Sequence, residues 1–163
     1  MTLSRGHVLG VVLGLLAAGA VLTFWPQEEP GVKEAITRKV VKMTDAAERK
    51  DMAELMDGVS DNFQSGNGWD KQQVKGVLLG QVLRGNWVRV FVRDLQVTEV
   101  NPSRGDVQVK IIFGRSQAEE LETLAQESVL SAYLIEGTFE KQSDGEWRVV
   151  QASHRSLSPT ELF

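Results

Sequence analysis

The stretch VRVFVRDLQV, residues Val88 to Val97, decides the fold. Val88, Val90 and Val92 recur with the period of two that sets alternate side chains on one face of a strand. Leu95 and Val97 then carry on the alternation at the opposite parity. Both sets face one core only if an extra residue is absorbed near Arg93-Asp94. A β-bulge does that, and bulges bend sheets. A strand bent in its middle predicts a curled sheet with something packed into its hollow.

Upstream the period is that of helices. Val32, Ile36, Val40, Met43 and Ala47 are spaced by four, four, three and four, one face of an amphipathic helix from Gly31 to about Lys50. Asp51 starts a second, short helix, with Glu54 in capping-box relation and Met52, Leu55 and Met56 as its buried side. Ser65-Gly66-Asn67-Gly68 reads as a loop. Asp70 caps a third helix with Gln73 at the reciprocal position. Its apolar stripe is Val74, Val77, Leu78 and Val82, and Gly85-Asn86 ends it.

Downstream, Asn101-Pro102-Ser103-Arg104-Gly105 is a hairpin turn, and Val107, Val109, Ile111 and Phe113 share one face of the next strand. Two more strands run from about Val129 to Lys141 and from Glu146 to about His154, joined by Gln142-Ser143-Asp144-Gly145. In the last one, Trp147-Val149 and Val150-Ala152 switch parity, which predicts a second distortion. The expected fold is α+β: three N-terminal helices packed in the concave face of a curved antiparallel sheet of four strands, a cone-shaped roll. Between Arg115 and Ser128 lies an acidic stretch with Glu119, Glu120, Glu122 and Glu127. Ala118, Leu121 and Leu124 or Ala125 suit a short helix, a hairpin extension serves equally, and a solvated charged face is the plain account.

Val8 to Trp25 is an uncharged run of 18 residues, VLGVVLGLLAAGAVLTFW. That length matches a transmembrane helix, in which every backbone polar group is satisfied internally. Arg5 precedes the run and Glu28 and Glu29 follow it, so the N-terminus is expected in the cytoplasm and the rest outside. Pro26 ends the helix. A cleaved signal peptide, cut after Ala18-Gly19-Ala20, is the competing account, and it too exports the domain. Gly10, Gly14 and Ala18 lie four apart on one helix face, which permits a homodimer without requiring one. The expected organisation is a cytoplasmic N-terminus over 1–7, a signal-anchor helix over 8–25, a linker over 26–31, the exported domain over 32–157 and a tail over 158–163. In a Gram-negative inner membrane that domain would be periplasmic.

Composition narrows the chemistry. Hydrophobic content of 42% with 25% charged residues is that of a globular chain, which argues against global disorder. With no cysteine there are no disulfides, thiolate metal sites or cysteine nucleophiles. Two histidines at opposite ends, His7 and His154, make no histidine-rich metal site. Of 18 basic residues only Arg5 precedes the end of the uncharged run, and all 22 acidic residues follow it, so the expected exported part carries 17 basic and 22 acidic groups, a net of −5. A nucleic-acid surface needs the reverse. No glycine-rich phosphate loop is present, so no cofactor is expected. Trp69, Trp87 and Trp147 read as packing anchors.

Three stretches, taken in order, resemble the nuclear transport factor 2-like superfamily, with its polyketide-cyclase-like and ketosteroid-isomerase-like members. They are Ile36 to Phe63 (ITRKVVKMTDAAERKDMAELMDGVSDNF), Val88 to Val97, and Phe139 to His154 (FEKQSDGEWRVVQASH). The resemblance implies a cone-shaped fold over about residues 32–155. It also implies that any acid–base residues sit inside the cone, where Asp94, Tyr133 and His154 are the candidates. Each has a plainer account: Asp94 as a carboxylate at a bulge, Tyr133 as a core aromatic, His154 as a sheet-edge side chain. The family holds enzymes, binders and scaffolds on one frame. The sequence therefore supports a membrane-anchored extracytoplasmic module that binds a protein partner or a small apolar ligand. A small lyase- or isomerase-type enzyme and a scaffold in an envelope-spanning secretion assembly are the alternatives.

Overall fold

A computed structural model of the chain describes residues 30–84, 89–114 and 129–162. The expected membrane helix, Val88, the helix stop at Gly85-Asn86 and the acidic stretch lie outside them. Among the described residues no helix is long and apolar enough to cross a membrane. Three helices are present: α1 (Val32–Glu48), α2 (Met52–Asp57) and α3 (Lys71–Arg84). Five strands, β1 (Val59–Ser65), β2 (Arg89–Asn101), β3 (Arg104–Gly114), β4 (Val129–Lys141) and β5 (Trp147–Ser156), form one sheet in the order β1-β5-β4-β3-β2.

The sequence pattern foresees four antiparallel strands. The fifth, β1, pairs in parallel with β5, so the sheet is mixed. In Val59-Ser60-Asp61-Asn62-Phe63 the buried Val59 and Phe63 are four apart, a spacing that suits a helical turn as well as a strand. What makes the segment a strand is its partner near the other end of the chain.

The bent strand is as its parity requires. Arg93 pairs with Lys110 and Gln96 with Gln108, so one more residue is spent on β2 than on β3. Asp94 takes the left-handed φ of 50° there. Val90, Val92, Leu95 and Val97 all pack on the same core. The second bulge lies in β5, where Thr138 and Phe139 pair with Gln151 and Val149 and leave Val150 over. Val149 and Ala152 thereby face the core together.

That core lies between α1 and the inner sheet face. Val32, Ile36 and Val40 of α1 meet Val107, Val109 and Ile111 of β3, with Phe139, Trp147 and Val149 beside them. At Gly105 the helix lies tight against the sheet, and an added Cβ would stand 2.5 Å from the Ile36 side chain. The α3 start is closed by reciprocal bonds, Gln73 N–H to the Asp70 carboxylate and Asp70 N–H to the Gln73 amide oxygen, both 2.9 Å. At α2 only half of the expected box forms. Asp51 accepts from the Glu54 N–H at 3.0 Å, whereas the Glu54 carboxylate turns to Lys42 and Arg49. Val77, expected in the buried stripe of α3, is exposed.

Two further features complete the frame. Lys39 is only 6% exposed, and its ammonium sits 3.3 Å from Asp57 and 3.0 Å from Glu146, joining α1 to the end of α2 and to the β4–β5 turn. The segment after β5, set apart in the sequence as a tail, folds back over the outer sheet face. Leu157 and Leu162 cover the buried Ile112 and Ala132 there, and Lys110 donates to the Glu161 carbonyl at 3.1 Å.

Candidate functional site

The three residues singled out as acid–base candidates fall on two sides of the sheet. Val109 and Ile111 face the core, so Lys110 between them faces outward. Asp94 pairs with that Lys110 at 2.8 Å. The hydrogen bond and charge of Lys110 hold the Asp94 carboxyl below its ordinary value, whereas a general base needs it raised. Tyr133, opposite Ile111, and His154, opposite Ile135, belong to the inner face. Their rings meet edge to face with centroids 5.8 Å apart, and Phe113 meets Tyr133 in the same way at 6.2 Å. The structure thus brings Tyr133 and His154 together as aromatic neighbours and sets Asp94 apart. Among the described residues no group of three or more His, Cys, Asp or Glu side chains is placed to hold a metal ion.

Among the described residues a trough of ≈480 Å³ opens on the outer sheet face. Two parallel rows of polar side chains line it, each crossing β2, β3, β4 and β5. One row is Thr98, Asp106, Thr138 and Gln151, and the next is Gln96, Gln108, Glu136 and Ser153. The backbone at Val107, Gly137 and Ala152 supplies the floor. Both bulges border it, because Gln96 follows the first and Gln151 the second. A bulge re-aims the side chains that come after it. Here that turns polar residues toward one place.

Within the trough the two carboxylates are held by neutral donors. The Thr138 hydroxyl donates to Asp106 at 2.8 Å, and the Gln108 amide donates to Glu136 at 3.0 Å. Thr138 is buried; Asp106 and Glu136 are exposed. Sequence reading passed over all eight of these residues because it followed the apolar positions. Their signal was the other half of the same alternation: Gln108 between Val107 and Val109, Glu136 after Ile135, Ser153 after Ala152.

No family model matches the sequence, and no curated protein does. Solved structures do. A protein of unknown function described as NTF2-like (nuclear transport factor 2-like), from Pseudomonas putida, superposes with a TM-score of 0.59 at 10% identity, covering 75% of this chain and 84% of that one. A protein of unknown function with a cystatin-like fold, from Nostoc punctiforme, gives 0.58 at 11%, covering 77% and 90%. A ketosteroid isomerase-like protein from Erwinia carotovora gives 0.55 at 15%, covering 77% and 96%. The chain therefore has the α+β, nuclear transport factor 2-like fold, with helices against a curved five-stranded sheet. At such identities the likeness is one of fold, and fold does not fix function.

Proposed function

We propose that the chain is a single-pass membrane protein whose extracytoplasmic domain is a binding or scaffold module, and that it engages a protein partner across the outer face of its sheet. The observation carrying this is the polar trough, built by two bulges across four strands. Its lining does not suit a small apolar ligand, which needs an apolar enclosure. Membrane attachment is supported by the uncharged run from Val8 to Trp25 with its charge flanks. A scaffold in an envelope-spanning assembly is one form such a module takes.

The test uses the full chain expressed in a Gram-negative host. The product should resist alkaline extraction from membranes, and protease should reach the domain only from the extracytoplasmic side. A photo-crosslinking amino acid at Gln96, on the trough, should then yield an adduct of defined mass, and the same probe at Lys33, on the exposed side of α1, should not. Adducts from neither position, or from both alike, would overturn the binding role.

The edge-to-face pair of Tyr133 and His154 favours a second reading, an isomerase- or lyase-type enzyme using the inner face. A phenol and an imidazole there could shuttle a proton once a substrate moved between them. Turnover of a small carbonyl compound, lost in both Y133F and H154A, would decide for it.

A further inference from the structure

The trough is electrostatically incomplete. Lys110 and Arg155 flank it on one side and Arg104 on the other, in neighbouring rows of the outer face. Each already has an acidic partner: Lys110 with Asp94 at 2.8 Å, Arg155 with Glu161 at 2.8 Å, Arg104 with Glu140 at 3.1 Å. Asp106 and Glu136, in the middle, have no basic partner within ion-pair distance among the described residues. Thr138 and Gln108 orient them without neutralising them, and each engages one carboxylate oxygen. The two carboxylates stand on diagonal positions of adjacent strands, whose backbones are about 7–8 Å apart in such pairs. One cation between them reaches both.

We infer that the trough receives an arginine or lysine side chain projecting from a partner protein. This rests on the outer-face binding reading above and names the chemistry of that site. The amide oxygens of Gln96 and Gln151 and the hydroxyls of Thr98 and Ser153 are acceptors for the N–H groups that the carboxylates leave over. A guanidinium, with five donors in a planar fork, uses such a set more fully than an ammonium does. The trough is open and most of its lining side chains are exposed, so it cannot enclose a free small molecule. A partner protein brings its own cover and excludes water from the pair. A second copy docked by the same face with its two-fold axis through the trough would set these carboxylates against their own images, which is repulsive.

The experiment titrates the detergent-solubilised full chain against fluorescent peptides of equal length in a Gly-Ser background, carrying two arginines, two lysines, two glutamates or no charge. Fluorescence anisotropy reads binding. Arginine peptides should bind at least tenfold more tightly than the neutral or acidic ones, and lysine peptides should fall between. D106N/E136Q, which keeps the shape of both side chains, should lose at least tenfold toward the basic peptides and most of the salt dependence. Two further variants guard the interpretation. E34Q makes one of the same neutralising changes at a remote helix position and should bind as the parent does, and the single variants D106N and E136Q, checked by thermal melting, stand in if the double fails to fold. Equal binding of all four peptides, or D106N/E136Q binding as the parent does, would overturn the inference. Spermidine binding as tightly as the arginine peptide would overturn the protein source, and association of the chain with itself through the trough would do the same. If crosslinking from Gln96 succeeds while the basic peptides fail, the binding role stands and only its cationic chemistry falls.

Discussion

At the scale of single residues, the contact of Gly105 with Ile36 shows how tightly the helix layer sits on the sheet. Ile36 is fully buried, and a methyl group on Gly105 would overlap its Cδ1. Gly105→Ala is therefore expected to destabilise the domain by about 1–3 kcal/mol, the usual result of adding a methyl to a full core. Ile36→Val should cost about 0.5–1.5 kcal/mol by leaving a small cavity. The clash and the cavity concern the same space. In the double variant the valine removes the methyl that the alanine would strike, so the two losses should sum to less than their separate values. Denaturant melts of the four proteins measure that coupling. Strict additivity would mean that α1 has room to move and that the pair is not a tight contact. Other residue-level features could be seen ahead of the structure. Asp70 and Gln73 were legible as a capping box because both halves are local. The missing half at Asp51 was not, since what draws Glu54 away is the position of Lys42 and Arg49 one helix earlier.

Among the elements, the two bulged strands were the most legible part of the chain and β1 the least. Parity in Val88 to Val97 and in Trp147 to Ala152 has only one structural solution once both halves must reach a core. Strand β1 owes its form to β5, a partner that its own residues do not announce. The trough was hidden for a related reason. Polar residues alternating with core residues describe any solvated sheet face, and only the register of four strands shows that two of the rows converge. The C-terminal turn makes a separate prediction at this scale. Ser158 and Glu161 form a reciprocal cap, Arg155 bonds to Glu161 at 2.8 Å, and the Leu157 N–H donates to the Ala132 carbonyl at 2.8 Å. Hydrogen bonds from the Ser158 backbone, Arg155 and the Ser158 hydroxyl bring the Glu161 carboxyl down to about 2. Because that value is lowered, the bonds hold the turn in full above the ordinary carboxylate range and release it only as pH falls through the lowered value. Glu161→Gln and Leu162→Ala should each speed amide exchange at Leu157 several-fold, leaving the core rows around Val109 and Ile135 as slow as in the parent. Unchanged exchange at Leu157 in both variants would mean that the turn merely rests on the sheet.

For the whole domain, the same logic extends to a ring of ion pairs that crosses its joints. At Asp57 burial pushes the carboxyl up, but hydrogen bonds and charge from Lys39 and Arg148 outweigh it and hold the group below its ordinary value. Asp61 is lowered by Lys71, Asp94 by Lys110 and Asp144 by Arg148, each through a hydrogen bond reinforced by charge. These bonds tie α2 to β5, β1 to α3, β2 to β3, and the β4–β5 turn to β5. Only the core fixes the fold, and single exposed pairs of this kind are weak. Acting in one direction, however, they set the acid limit. Every one of these carboxyls titrates lower in the folded chain than in the unfolded one, so in the acid range the unfolded chain binds more protons. Stability is then complete above the ordinary carboxylate values and is lost as pH falls through the lowered ones. Urea midpoints should stay level from about pH 7 to about pH 5 and drop steadily below about pH 4. Molar salt should flatten the drop, since most of the pairs lie in solvent and are screened. Lys39→Met separates the buried anchor from the rest. Near neutral pH it should lower the midpoint by leaving Asp57 and Glu146 without their ammonium. As pH falls through the lowered range of Asp57 and its carboxyl takes up a proton, the ammonium loses that anion and the difference from the parent should shrink. A midpoint that holds level down to pH 3, or a Lys39→Met deficit that grows as acid is added, would show that the charge network does not govern how this fold is lost.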